Sequence, residues 1–215
     1  ENHIDWYTGM MLINPYSFGA TLSTVINYQF MGADGATTTT DSTGNTTASG
    51  LGVISGASYA DISSNTLRSL RKAVTIDNSG SLSSYLIFAG DFEVELSIRV
   101  DFWSFAGTRL FWTLLNGSGQ TVLNLNLAGD GNVYLQSLTD SNLLQPSGSL
   151  ALAGGVDLTS QQPVKVARVG SVLSVYVGGV LKGTTTSTGT VNAGRLSLDY
   201  DDIEHFTDYL IVKKV

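Results

Sequence analysis

Phe92-Glu93-Val94-Glu95-Leu96-Ser97-Ile98-Arg99-Val100 sets an apolar side chain at every second position and a polar one between. Successive side chains of a strand point to opposite faces, so this stretch reads as a strand with one buried and one wet face. Val122 to Leu127 repeats the device: Leu123, Leu125 and Leu127 are expected inward, Asn124 and Asn126 outward. Gly129-Asp130-Gly131-Asn132 then turns the chain into Val133–Leu138, with residues suited to positive φ.

Further hairpins follow. Val164–Val169 turns at Gly170-Ser171 into Val172–Val177, and Gly178-Gly179 turns that strand into Val180–Thr184. Leu196–Leu198 and Tyr209–Lys213 supply the last strands, while Pro146–Gly155 and Gly50–Gly56 read as loops. The one helical signal is Ser64–Ala73, where Leu67 and Leu70 lie three apart. Thr37–Thr40 suits a strand edge, and Asp41-Ser42-Thr43-Gly44-Asn45 a tight loop. Short, regularly spaced strands separated by turn residues predict an all-β sandwich or barrel.

The 215 residues fit one large β-domain. A segment crowded with aromatic and apolar residues, including Trp6, Tyr7, Met10 and Phe18, sets residues 1–20 apart as an arm or connector before a domain over 21–215. The absence of cysteine removes disulfides, zinc–thiolate sites and thiol nucleophiles. A net charge of −7 argues against nucleic acid and anionic membranes as partners. No stretch approaches the roughly 18 apolar residues of a membrane span, so membrane insertion is not expected. The first residues lack the basic region and apolar core of a signal peptide, as expected of a processed end or the inside of a longer chain.

The order of motifs resembles laminin-G-like domains of tailed-phage structural proteins, within the concanavalin A-like lectin-glucanase group. The residues that carry it are Gly32-Ala33-Asp34-Gly35, Asp41–Asn45, Val74–Gly80, Ala89-Gly90-Asp91-Phe92-Glu93-Val94-Glu95, Val172–Leu181 and Phe206–Ile211. Asn14-Pro15-Tyr16-Ser17-Phe18 is similar to a segment that precedes such domains. The likeness runs from about Val25 to the end of the chain. It implies a two-sheet antiparallel jelly-roll β-sandwich and a role in binding glycan or neighbouring proteins, not catalysis. It also implies a structural calcium ion held at the positions of Asp41 and Asp208.

Three sets of residues carry candidate chemistry. Asp41 and Asp208 are the calcium candidates, for an ion that takes six to eight oxygens. Trp103 and Phe105, just past the central strand, are candidates for stacking on sugar rings, with Asp202 as a polar partner. Asp199, Asp201, Asp202 and Glu204 form the densest acidic cluster, but Asp202-Ile203-Glu204 lacks the preceding glutamate of the β-glucanase spacing. It reads as a solvated loop, and no catalytic residue is assigned. His205, flanking that loop, is expected at the surface, and His3 lies in the arm, so no histidine-based catalytic or metal set assembles.

The expectation is a non-enzymatic protein of a virion surface or the extracellular space, in a capsid decoration, tail or fibre. It would bind host-surface glycan or other virion proteins, with a homo-oligomer formed through the arm. The alternatives are a polysaccharide-degrading enzyme on the same sandwich and a purely architectural assembly protein.

Overall fold

The computed structural model describes residues 21–37, 39, 41–49, 52–55, 58–70, 74–77, 84–102, 109–127, 133–137, 149–151, 158–198 and 204–215. The arm over 1–20 lies outside them. The fold is an all-β, antiparallel jelly-roll sandwich of two large sheets. In spatial order the nine-stranded sheet runs β15 (Val180–Thr186), β14 (Val172–Val177), β13 (Gln162–Val169), β8 (Phe92–Phe102), β18 (Glu204–Lys214), β5 (Thr66–Leu70), β4 (Ser58–Ser63), β3 (Gly52–Ser55). Its ninth member, β1 (Ser23–Tyr28), also pairs with β18. The seven-stranded sheet runs β12 (Ser149–Ala151), β11 (Val133–Gln136), β10 (Thr121–Leu127), β9 (Arg109–Leu115), β17 (Arg195–Leu198), β6 (Val74–Asp77), β2 (Thr47–Ser49). A short ribbon of β16 (Val191–Asn192) and β7 (Ile87–Phe88) completes the described strands.

The core forms where the apolar faces of the two sheets meet. Val94, Leu96 and Ile98 of β8, Val164 and Val166 of β13 and Leu210 and Val212 of β18 are buried from one side. Trp112 and Leu114 of β9, Leu123 and Leu125 of β10 and Ile76 and Leu196 are buried from the other. Each such aliphatic side chain contributes about 1.5–3 kcal/mol by leaving water. The strand alternation read from Phe92–Val100 therefore does what its period requires.

The last strand organises the larger sheet. Along one edge β18 pairs with β8 over most of its length. Along the other, Glu204–Thr207 pairs with β5, and from Leu210 onward the partner is β1. Where the partner changes, β18 bulges: Thr207 faces Ile98 and Leu210 faces Leu96, so Asp208 and Tyr209 together oppose Ser97 alone. The bulge inverts the strand's parity. His205 and Thr207 point inward before it, Leu210 and Val212 after it. His205 is accordingly buried, not at the surface as its acidic neighbours suggested.

Other local readings also change. Ser64–Ala73 does not start a helix: Ser64 and Asn65, at φ of 53° and 58°, turn β4 into β5. Two consecutive positive φ values define the tight hairpin turn whose twist matches the strands, and they outweigh the Leu67/Leu70 spacing. Gly178 and Gly179 make the corresponding turn between β14 and β15, at 60° and 78°. Within segments read as loops, Gly52–Ser55 and Ser149–Ala151 add edge strands, and described Thr37 and Thr39 lie outside any strand. The Gly129–Asn132 turn lies outside the described residues, but β10 and β11 pair antiparallel across it.

Asn124 and Asn126 are not wet: they are 5% and 1% exposed. Asn124 belongs to a polar row across the seven-stranded sheet, in which Thr75 faces Ser197, Ser197 faces Thr113, Thr113 faces Asn124 and Asn124 faces Gln136, and Asn126 stands two residues along the same face. Burial is tolerated because the amides bond one another. The Asn126 amide donates to Gln136 Oε1 at 2.9 Å and, more weakly, to Asn124 Oδ1 at 3.4 Å. Alternation fixes which side chains share a face, not which face meets solvent.

One buried cation ties the sandwich end together. Arg168 of β13 donates to the carbonyl oxygens of Phe88, Gly90 and Gly189, and its guanidinium lies 5.1 Å from the Phe92 ring centre. Burial lowers its pKa and the Asp91 charge opposes that fall; arginine nonetheless stays protonated in proteins. Arg168→Leu is expected to destabilise the fold by about 3 kcal/mol, because three carbonyls, buried at Phe88 and partly buried at Gly90 and Gly189, lose a charged donor at once. Urea unfolding measures it, and a loss within about 0.5 kcal/mol, the range of ordinary surface changes, contradicts the clamp.

Candidate functional site

The candidate site is the outer face of the nine-stranded sheet. Four rows of side chains stand on it, each fixed by strand register. Asp61, Arg68, Phe206 and Arg99 face one another across β4, β5, β18 and β8. Two residues along, Ser97 of β8 meets the bulge residue Asp208. Next come Ile211, Glu95, Lys165, Tyr176 and Leu181 across β18, β8, β13, β14 and β15. Last is Lys213 opposite Glu93. Acidic and basic side chains interleave along these rows, with Asp61, Glu93, Glu95 and Asp208 among Arg68, Arg99, Lys165 and Lys213, and Glu204 stands on the same face.

Among the described residues, two depressions lie on this face, one on each side of the bulge. The larger, about 340 Å³, is lined by Glu95, Pro163, Lys165, Tyr176, Gly179 and Tyr209. Tyr209 donates its hydroxyl to Glu95 Oε1 at 2.8 Å. Burial first, then that bond and the charges of Glu95 and Asp208, raise its pKa, so the phenol stays protonated and keeps donating. Lys165 lies 5.1 Å from the Tyr176 ring centre and 3.8 Å from the Glu93 carboxylate, which Lys213 also approaches at 3.4 Å.

The smaller depression, about 240 Å³, is lined by Ser63, Ser64, Thr66, Arg99, Gln161, Phe206 and Asp208. Thr66 donates its hydroxyl to Asp208 Oδ1 at 2.8 Å. Gln161 donates to Ser97 Oγ at 2.8 Å, and Ser97 in turn points to Asp208 Oδ2 at 3.5 Å. The Arg99 guanidinium sits 4.2 Å from the centre of the Phe206 ring. The bulge thus sends Asp208 into one depression and Tyr209 into the other.

Asp41 has a different task. The backbone N–H groups of Asn27, Thr43 and Thr46 reach its carboxylate at 2.9, 2.9 and 3.1 Å, and the hydroxyls of Thr43 and Thr46 at 2.8 and 3.0 Å. Burial pushes its pKa up, but these hydrogen bonds outweigh it and hold the carboxyl below its ordinary value of 3.8. Oxygens filled by donor protons do not fit a calcium ion, which would have to displace them. Asp41 and Asp208 share no hydrogen-bonding partner, and among the described residues no three His, Cys, Asp or Glu side chains gather to hold a metal.

Trp103, Phe105 and Asp202 lie outside the described residues, and Trp112 is a core side chain. The residues that line the described face were visible as the wet positions of β8, β13, β14 and β18. Sequence could not show that these strands are neighbours, nor that a bulge turns two consecutive residues outward.

This geometry defines an antiparallel jelly-roll β-sandwich with a mixed polar and aromatic sheet face. Solved structures with this fold include one of botulinum neurotoxin type C, whose cell entry is dependent upon interaction with two ganglioside molecules. It is 11% identical, with a TM-score of 0.63, over 94% of this chain and 49% of that one. The Trypanosoma rangeli sialidase in complex with sialic acid is 12% identical, with a TM-score of 0.64, over 93% of this chain and 32% of the sialidase. The binding domain of botulinum neurotoxin DC in complex with rat synaptotagmin II is 11% identical, with a TM-score of 0.62, over 88% and 48%. The chain therefore spans half or less of the length of these structures. No family model matches the sequence, and neither does any curated protein.

Asp41→Ala is expected to cost about 2 kcal/mol at neutral pH, the loss of hydrogen bonds to a charged acceptor. The folded carboxyl titrates below 3.8, so its stabilisation is complete above that value and disappears as pH falls through the folded pKa. The gap between wild type and variant in chemical unfolding should close only at acid pH. A gap unchanged down to the most acid conditions, or a melting temperature lowered by a calcium chelator, contradicts this account.

Proposed function

We propose that this chain is a non-catalytic carbohydrate-binding sandwich of a virion or extracellular surface protein, laminin-G-like in the manner of tailed-phage structural proteins. The outer face of the nine-stranded sheet is its contact surface. The observation that carries the reading is the pair of adjoining depressions, where Tyr176, Tyr209 and Phe206 stand among Glu95, Asp208, Gln161 and Lys165. Rings with polar neighbours suit sugars, which offer an apolar ring face and a rim of hydroxyls. The fold is shared with structures described with gangliosides and with sialic acid, which supports a carbohydrate ligand.

The carboxylates of this face support binding over catalysis. Glu95 is held by Tyr209, Glu93 by two lysines, and Asp208 by two hydroxyls. Each is anchored, and His205 points into the core, away from them. A protein partner, such as a neighbouring virion subunit, is the second reading. It is favoured by the interleaved charges of both signs on the face and by the same fold in a neurotoxin domain bound to synaptotagmin II.

The test is a panel of immobilised neutral and acidic polysaccharides, probed with wild type and Tyr176→Ala. Binding to at least one, weakened several-fold in the variant as expected for a lost aromatic contact, with no release of shorter saccharides, is the expected result. Turnover of any bound polysaccharide refutes the non-catalytic reading. A blank panel, with Tyr176→Ala defective only in assembly with partner proteins, replaces sugar by protein as the ligand.

A further inference from the structure

We infer that the depression at the β18 bulge is a subsite for a single neutral hexose ring, with Asp208 accepting two adjacent sugar hydroxyls. This rests on the carbohydrate-binding reading above and adds a location and a ligand class to it.

Acceptor capacity is the first argument. An ionised carboxylate offers about four lone-pair positions. At Asp208 one donor reaches each oxygen, Thr66 at 2.8 Å on Oδ1 and Ser97 at 3.5 Å on Oδ2. Each oxygen retains an acceptor position, and the two hydroxyls hold the carboxylate plane in place. Gln161 spends an N–H on Ser97, which leaves its Oε1 as a further acceptor at the same depression. A ligand must therefore bring donors, and a vicinal pair of O–H groups matches the two oxygens of one carboxylate.

Charge is the second. An acidic sugar would set its own carboxylate beside Asp208, on a chain whose net charge is −7. An ammonium ligand would meet Arg99 in the same space. A neutral polyol meets neither penalty. Phe206 lines the depression with the Arg99 guanidinium over its ring, 4.2 Å from the centre, and supplies an apolar patch beside the acceptors. The volume of about 240 Å³ lies below the roughly 300 Å³ at which pockets for larger ligands begin. It admits one ring, and a longer glycan would continue over the bulge toward Tyr209 and Tyr176.

The experiment titrates the full chain with methyl β-galactopyranoside, methyl α-mannopyranoside, lactose, maltose and the methyl glycoside of N-acetylneuraminic acid. Binding is followed by amide ¹H–¹⁵N shifts and by calorimetry. At least one neutral probe should bind and shift the amides of Thr66 and Phe206–Tyr209, while the sialoside should not. Asp208→Asn, close to isosteric, should weaken that binding at least about tenfold, as expected for hydrogen bonds to a charged acceptor. The wild-type shift map needs no variant to fold.

Binding of the sialoside alone overturns the ligand class. Loss of binding in Tyr176→Ala with Asp208→Asn unaffected moves the site to the larger depression and leaves the carbohydrate reading standing. If no neutral probe shifts these amides, the subsite is refuted. If the polysaccharide panel is blank as well, the carbohydrate reading falls with it.

Discussion

The arrangement of this protein turns on where its last strand changes partner. β18 lies between β8 on one side and, on the other, β5 for its first residues and β1 for the rest. A strand that must serve two neighbours in succession accommodates the change with an extra residue, and the bulge at Asp208-Tyr209 is the result. Parity inverts there, so the apolar set before and after the bulge both reach the core. Two consecutive side chains are released to the outer face. The two depressions, the anchoring of Glu95 and the presentation of Asp208 all follow from that single insertion.

Around this feature the polar groups are arranged so that few are left to chance. Arg168 spends its guanidinium on three backbone carbonyls, and Asp41 collects backbone amides and hydroxyls from its own loop and from β1. These are the devices a cysteine-free sandwich has for closing its ends, since no disulfide can do it. The accounting is incomplete at Thr113 Oγ1 and Asn126 Oδ1, which are buried without a hydrogen-bonding partner among the described residues. Such atoms cost about 1–3 kcal/mol each, and they lie on the polar side of the seven-stranded sheet, away from the proposed contact face.

The two sheets differ in what their outer sides offer. The seven-stranded sheet turns out hydroxyls and amides that are largely buried, whereas the nine-stranded sheet turns out ionised and aromatic side chains that are partly open. Interlocked pairs such as Arg68 with Asp61 at 3.2 Å hold long side chains flat against the sheet. Such partly buried pairs at the surface add modest stability. Their effect is to fix shape, so that a partner meets a surface already in order. That property suits recognition of sugars and proteins alike.

Alternation in Phe92–Val100, Val172–Val177 and Val164–Val169, with glycine pairs between strands, determined the all-β class, most of the hairpins and the apolar faces. These are local quantities: a period of two and a positive φ are encoded within a few residues. The tertiary structure alone decided which polar face stays open. Asn124 and Glu95 sit in equally regular patterns, yet one is buried among amides and the other lines a depression. It also decided that Ser64-Asn65 turns a hairpin, that His205 points inward, and that Gln161, Ser97, Thr66 and Asp208 meet from four separate segments. The physical reason is that register between strands distant in sequence, and a bulge forced by a change of neighbour, exist only once the sheet is assembled.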